Sequence, residues 1–189
     1  SEEQRALNVG EVWHYMDQQL GYPIILSNAK SFNTIKWAEI DIFIMPRGNY
    51  PFLKDKVQAE HFQRWLEGGG KVIALENAVA ALSGQPWSAL KAVAQDSAAK
   101  AKESPLLNFG DRERSALKSY TAGAIYEMTF DKSHPLMFGA QEYYTLKQDA
   151  VLYQYMKEGK GWNVGYIKED ARVSGFVGEK LHKQLKNGL

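Results

Sequence analysis

The stretch Gly68-Gly-Gly-Lys-Val-Ile-Ala-Leu-Glu-Asn-Ala-Val-Ala-Ala-Leu82 decides how the rest of the chain is read. Its three glycines close a helix, and Gly68 is expected to supply the left-handed cap. Lys71–Leu75 then reads as a short strand and Ala78–Leu82 as the start of another helix. A strand that is apolar on successive residues must be covered on both faces, as a central parallel strand is. Glu76 and Asn77 fall on the turn between the carboxyl end of that strand and the amino end of the helix. Ligands and nucleophiles gather at such turns in open α/β sheets, because unpaired backbone N–H groups converge there. Several enzyme superfamilies place a Cys or Ser on this turn. Here the residue is Glu76, and the chain of 189 residues contains no Cys.

Upstream of this stretch, Gly10–Leu20 has the periodicity of an amphipathic helix, with Val12, Trp13, Met16 and Leu20 on one stripe. Ser1–Asn8 is polar and reads as loop. Tyr22–Ser27 and Ile40–Met45 are apolar runs of strand length, and Pro46–Tyr50 forms a loop at the carboxyl end of the second. Val57–Glu67 is helical, with Phe62, Trp65 and Leu66 inward. Helix, strand, strand, helix, strand and helix in this order predict a mostly parallel, doubly wound sheet in a three-layer α/β sandwich of flavodoxin-like type. Its parallel strands would include Ile24–Leu26, Asp41–Met45 and Lys71–Leu75. Downstream the rhythm changes. Pro86–Lys102 is Ala-rich and reads as helix, and Ala124–Phe130 alternates like a half-buried strand. Tyr143–Leu146, Val151–Met156 and Trp162–Ile167 are short strand candidates, antiparallel or at an edge. A last amphipathic helix is expected at Glu179–Lys186. No repeat or interdomain linker divides the chain, which reads as a single domain over 1–189.

Composition narrows the function. A formal net charge of +1 provides no field for bulk attraction to nucleic acid or acidic membranes, so no nucleic-acid partner is expected. No apolar run reaches the roughly 18 residues of a membrane span. The absence of Cys excludes thiol catalysis and thiolate metal sites. His14 and Asp17 lie one helical turn apart but have no third ligand nearby in sequence, so no metal site is expected. Gly68–Gly70 precedes a strand rather than a helix and cannot cradle phosphate as nucleotide-binding loops do. The Gly-x-Ser-x-Gly hydrolase elbow is absent.

Five pieces occur in order: Gly10-Glu-Val-Trp-His, Lys71-Val-Ile-Ala-Leu, Gly123-Ala-Ile-Tyr, His134-Pro-Leu-Met-Phe-Gly and Ser174-Gly-Phe-Val-Gly. Together they resemble the class I glutamine amidotransferase-like domain that follows the catalytic domain in certain bacterial zinc carboxypeptidases. The resemblance spans most of the chain and implies the flavodoxin-like sheet. It also implies that the chain is a fragment of a longer zinc carboxypeptidase-related protein, secreted or periplasmic. On this analogy Glu76 occupies the place of the nucleophilic Cys, and no His stands where its partner would be. Glu11 resembles the acidic residue that superfamily members place near the elbow. The superfamily's opening strand before the first helix, and its closing strand after the last, have no counterpart here.

Two functions follow. One is a non-catalytic accessory domain that supports a peptidase domain of the same polypeptide, or binds a peptide or glycan in the strand-end cleft through Glu76, Asn77, Arg47 and Gly48. Zinc would then reside only in the separate peptidase domain. The other is a stand-alone hydrolase or lyase using Glu76 and Glu11. The missing Cys and His favour the first.

Overall fold

In the computed structural model the chain forms two compact units, residues 1–88 and 89–189. The structure describes residues 6–93, 108–140, 144–147, 151–168 and 170–184.

The first unit opens with α1 (Ala6–Trp13), which continues as a π-helix over His14–Gln19. The helix therefore starts four residues earlier than the sequence pattern predicts. After an irregular segment and two 3₁₀ turns comes β1 (Ile42–Met45), then α2 (Lys56–Glu67), β2 (Lys71–Ala74) and α3 (Asn77–Ser83). Asp55 caps α2 by accepting a hydrogen bond from the Gln58 N–H at 3.0 Å. At the other end the Gly70 N–H reaches the Trp65 carbonyl and the Gly69 N–H the Leu66 carbonyl, each at 3.0 Å. This is a Schellman closure, so the left-handed residue is Gly69 at φ +99° and not Gly68, which sits at φ −76°.

β1 and β2 pair in parallel, with Ile42 opposite Lys71 and Met45 opposite Ala74. One face of the pair carries Phe43, Met45, Val72 and Ala74 onto an aromatic core. Phe62 of α2 is fully buried there, within 5.4–6.5 Å of the rings of Phe32, Trp37, Phe43, Phe52, Trp65 and Trp87. Phe32 stacks on Phe52 at 3.6 Å. Trp65 is half-buried, and its indole N–H donates to the Ile40 carbonyl at 2.8 Å. On the other face Ile42 and Ile73 remain about half exposed.

The second unit has α4 (Phe109–Leu117), β3 (Thr121–Glu127), β4 (Thr129–Phe130), β5 (Tyr144–Lys147), β6 (Gly165–Tyr166), β7 (Val173–Val177) and α5 (Glu179–Gln184). Its main sheet has the order β5–β3–β7, antiparallel throughout, and β4 pairs antiparallel with β6. Ala124 and Tyr126 point inward with Leu152, Ile167 and Leu181, while Ile125 points outward. At β3–β7 a bulge at Thr121/Gly123 brings Gly123 against Gly175, where a Cβ would lie 2.9 Å from the Gly123 carbonyl oxygen.

The flavodoxin-like expectation is therefore overturned. Parallel pairing is confined to β1 and β2 among the described residues. Tyr22–Ser27, including Ile24–Leu26, forms no strand; Pro23 lacks a donor, and Ile25 and Leu26 stay largely exposed. β2 is not central: it has one partner among the described residues, and its own residues alternate exposed and half-buried. In the second unit no α-helix lies between Leu117 and Glu179 among the described residues. Parallel strands need such crossovers, whereas antiparallel ones do not. Of the remaining strand expectations, Val151–Met156 supplies only the isolated bridge of Tyr153 to Ala92, and Trp162–Ile167 only the two residues of β6. Residues 86–93 are not helical, and the rest of the Pro86–Lys102 prediction lies outside the described residues.

Two predictions follow from the packing. An added Cβ at Gly70 would fall 2.2 Å from the Trp65 ring, whereas at Gly84, with ordinary helical φ, it meets nothing closer than 3.7 Å. Gly70→Ala should therefore destabilise by about 1–3 kcal/mol. Gly84→Ala should be neutral or stabilise by up to about 1 kcal/mol. Denaturant midpoints of the two variants should move in this order.

Burial raises the phenol pKa of Tyr50 and of Tyr126, and the Tyr126 hydroxyl has no hydrogen-bond partner among the described residues. The folded state thus holds these protons more tightly than the unfolded state. Their contribution is fully present below the unfolded tyrosine pKa of about 10 and is lost as pH rises above it. Tyr126→Phe should flatten the alkaline fall in melting temperature without lowering stability at pH 7, because it removes an unpaired buried hydroxyl.

Candidate functional site

Parallel pairing sets the site. Because β1 and β2 run side by side, the loop after Met45 and the turn after Ala74 emerge at the same sheet end. The Leu75 N–H still donates to the Met45 carbonyl at 2.9 Å, one residue past the strand. The chain then reverses sharply into α3 through Glu76, at φ 50° and ψ −124°, the sole non-glycine residue with positive φ among the described residues. The Ala78 N–H to Leu75 carbonyl and Val79 N–H to Glu76 carbonyl bonds, both 3.1 Å, fasten the first turn of α3. A strained strand-to-helix turn of this kind is how α/β hydrolases lift a nucleophile above the sheet. Holding a carboxylate residue there costs on the order of 1–3 kcal/mol.

The side chains around the turn satisfy one another. Arg47 Nη1 donates to Glu76 Oε2 at 3.1 Å, and Asn8 Nδ2 of α1 donates to Glu76 Oε1 at 3.1 Å. Asn77 Oδ1 accepts from the Gly48 N–H and its Nδ2 donates to the Gly48 carbonyl, both at 2.9 Å. The structure thus brings Glu76, Asn77, Arg47 and Gly48 together. The Arg47–Glu76 pair leaves 38% and 40% of its side chains exposed, so it contributes no more than about 1 kcal/mol. The paired Asn77 amide instead fixes the loop after β1 to the start of α3 with two neutral bonds that share one side chain.

Glu11 lies one turn beyond Asn8 on α1 and is exposed; the contact from this helix to the elbow is made by Asn8. Asn8 was missed because Ser1–Asn8 reads as polar loop. Extending the apolar stripe of α1 one turn back, to Val9 and Ala6, would have placed Asn8 on the helix. The histidines take other roles. His134 Nδ1 accepts from the Leu136 N–H at 3.2 Å and caps the turn at Pro135–Met137. His61 lies exposed on α2, and no His forms an ion pair with Glu76 among the described residues. His14 and Asp17 fall in the π-helix, and no three His, Asp or Glu side chains converge as metal ligands among the described residues. Nor is any described helix long and apolar enough to cross a membrane.

Comparison with protein-family models, curated proteins and solved structures finds no match to this chain.

The strain at the elbow can be measured directly. Glu76→Gly and Glu76→Ala both remove the carboxylate, but only glycine adopts φ 50° without a steric penalty. Glu76→Gly should therefore be the more stable variant by about 1–2 kcal/mol in chemical denaturation. An equal or reversed order would mean that the turn holds no strain.

Proposed function

We propose that this chain is a non-catalytic accessory domain of a zinc carboxypeptidase-related protein. The observation that carries this reading is the state of Glu76: both of its carboxylate oxygens are engaged, by Arg47 and by Asn8. A general base or nucleophile needs an open face toward substrate and a group to manage its proton. Here the elbow geometry of a nucleophile carries a carboxylate that braces the neighbouring loop. The five sequence pieces that resemble the amidotransferase-like domain of bacterial zinc carboxypeptidases support the parent protein. The empty places of the Cys and its His partner support the loss of acyl-transfer chemistry.

In this role the domain supports a peptidase domain of the same polypeptide, outside the cytoplasm, and that peptidase domain holds the zinc. The exposed parts of Arg47 and Glu76, on the turn and loop that Asn77 and Gly48 hold together, offer donors and an acceptor to a peptide or glycan at the strand ends.

Purified protein should turn over neither glutamine nor peptide nor ester substrates, with or without added zinc. Turnover that disappears in Glu76→Gln would overturn the accessory reading and make Glu76 a catalytic carboxylate.

A further inference from the structure

A cavity of about 930 Å³ lies along the free edge of β1, walled by α1 and its π-helical continuation and by the irregular segment 21–28. Its lining is mostly apolar, with Val12, Trp13 and Met16 on one side and Phe43 and Phe52 among those opposite. Ligand sites have this size and character. What distinguishes this one is the strand edge inside it.

The Lys71 N–H donates to the Asp41 carbonyl and the Leu75 N–H to the Met45 carbonyl. In a parallel ladder with Ile42 opposite Lys71, residues 41, 43 and 45 then turn their backbone groups toward β2. Ile42 and Ile44 turn theirs the other way, to the edge that faces the cavity. No strand pairs with this edge among the described residues. An apolar slot that contains a row of unpaired backbone donors and acceptors matches an extended polypeptide, whose backbone satisfies the row and whose side chains alternate between the two walls.

Charge gives the direction. Glu39 and Asp41, both just before β1, are the only charged side chains lining the cavity among the described residues. Glu39 is engaged with Lys36 at the surface, at 3.2 Å. The Asp41 carboxylate has no side-chain partner among the described residues. It suits a cation at the amino end of a strand that runs parallel to β1, whose carboxyl end would leave on the side of the elbow. We propose that this slot accepts an extended apolar polypeptide strand from outside these 189 residues, parallel to β1, with a basic residue or free amino group at the Asp41 end. The inference is independent of the elbow: turnover by Glu76 would leave it intact, and failure to bind a strand would leave the accessory reading intact.

The probe is a synthetic peptide of about six residues, lysine followed by alternating valine and alanine, labelled at its carboxyl end and followed by fluorescence anisotropy. A matched peptide, N-methylated at alternate residues on the edge that meets β1, keeps every side chain but loses those donors. Binding of the plain peptide is expected, weakened about tenfold or more by N-methylation. Ile44→Pro removes a donor from the free edge without touching the bonds to β2, and proline is tolerated on edge strands; it should weaken the plain peptide similarly. Should Ile44→Pro fail to fold, the two peptides on the unsubstituted chain decide alone. Equal binding of both peptides would make the slot a mere apolar pocket and overturn the proposal. Absence of binding would overturn it too, as would self-association of the chain that the plain peptide does not reverse.

Discussion

The pairing of Ile42–Met45 with Lys71–Ala74 is the constraint on which the first unit depends. It is parallel, so the chain must travel back along the sheet between the two strands, and α2 makes that journey. The return buries Phe62 against six other rings and presses Trp65 so closely over Gly70 that no Cβ fits between them. The Schellman closure at Gly69 turns the chain from helix to strand within three residues, which sets the register. The same pairing aligns the exits of both strands. Without it the loop carrying Arg47 and Gly48 would not meet the turn carrying Glu76 and Asn77.

At that end the structure combines features that separately suggest opposite things. The backbone of Glu76 has the geometry of a turn built to present a reactive side chain, and it is held there against strain. The side chain does something else: it accepts from a cation on one neighbouring loop and an amide on α1. Asn77 adds a reciprocal amide–backbone pair to the same loop. Three chain segments meet at one turn through four polar contacts. The elbow therefore works as a clamp, and the strain is maintained by the core beneath it, where Ala78 and Leu82 of α3 are buried.

Much of this was legible in the sequence where local signals agreed. Two apolar runs, a helix of period 3.6 between them and a glycine closure located β1, α2 and β2 to within a residue or two. The turn at Glu76 and the nearness of Arg47 and Gly48 followed from strand exits alone. What failed was the step from local pattern to sheet. Tyr22–Ser27 is as apolar as β1, yet an apolar run specifies only that burial is favoured, not which backbone will satisfy its hydrogen bonds. Lys71–Leu75 misled for a related reason: successive apolar residues were read as two covered faces, but Ile73 lies about half exposed above the cavity. In the second unit the alternation at Ala124, Ile125 and Tyr126 was read correctly as half-buried. The partners of β3 come from residues some 20 and 50 positions away, at Tyr144–Lys147 and Val173–Val177, and no local signal encodes that pairing. The φ of Glu76 is likewise invisible in composition, since glutamate is not a residue that marks positive φ.

The two ends of β1 thus carry different chemistry, and the difference follows from which groups are already satisfied. At the carboxyl end, side chains from three segments pair with one another and leave only partial exposure for anything else. Along the lateral edge, Ile42 and Ile44 direct backbone groups into an apolar space with no protein partner among the described residues. Backbone N–H and C=O groups are obligatory hydrogen-bonders, and an apolar surrounding makes their pairing more valuable because water there is a poorer substitute. A second polypeptide strand satisfies them in a way that a compact apolar ligand cannot, since it offers donors and acceptors at the spacing of the edge. The demand for partners is therefore greatest at the side of the sheet, while at the strand ends, where chemistry would be sought, the polar side chains already pair with one another and stay only partly exposed.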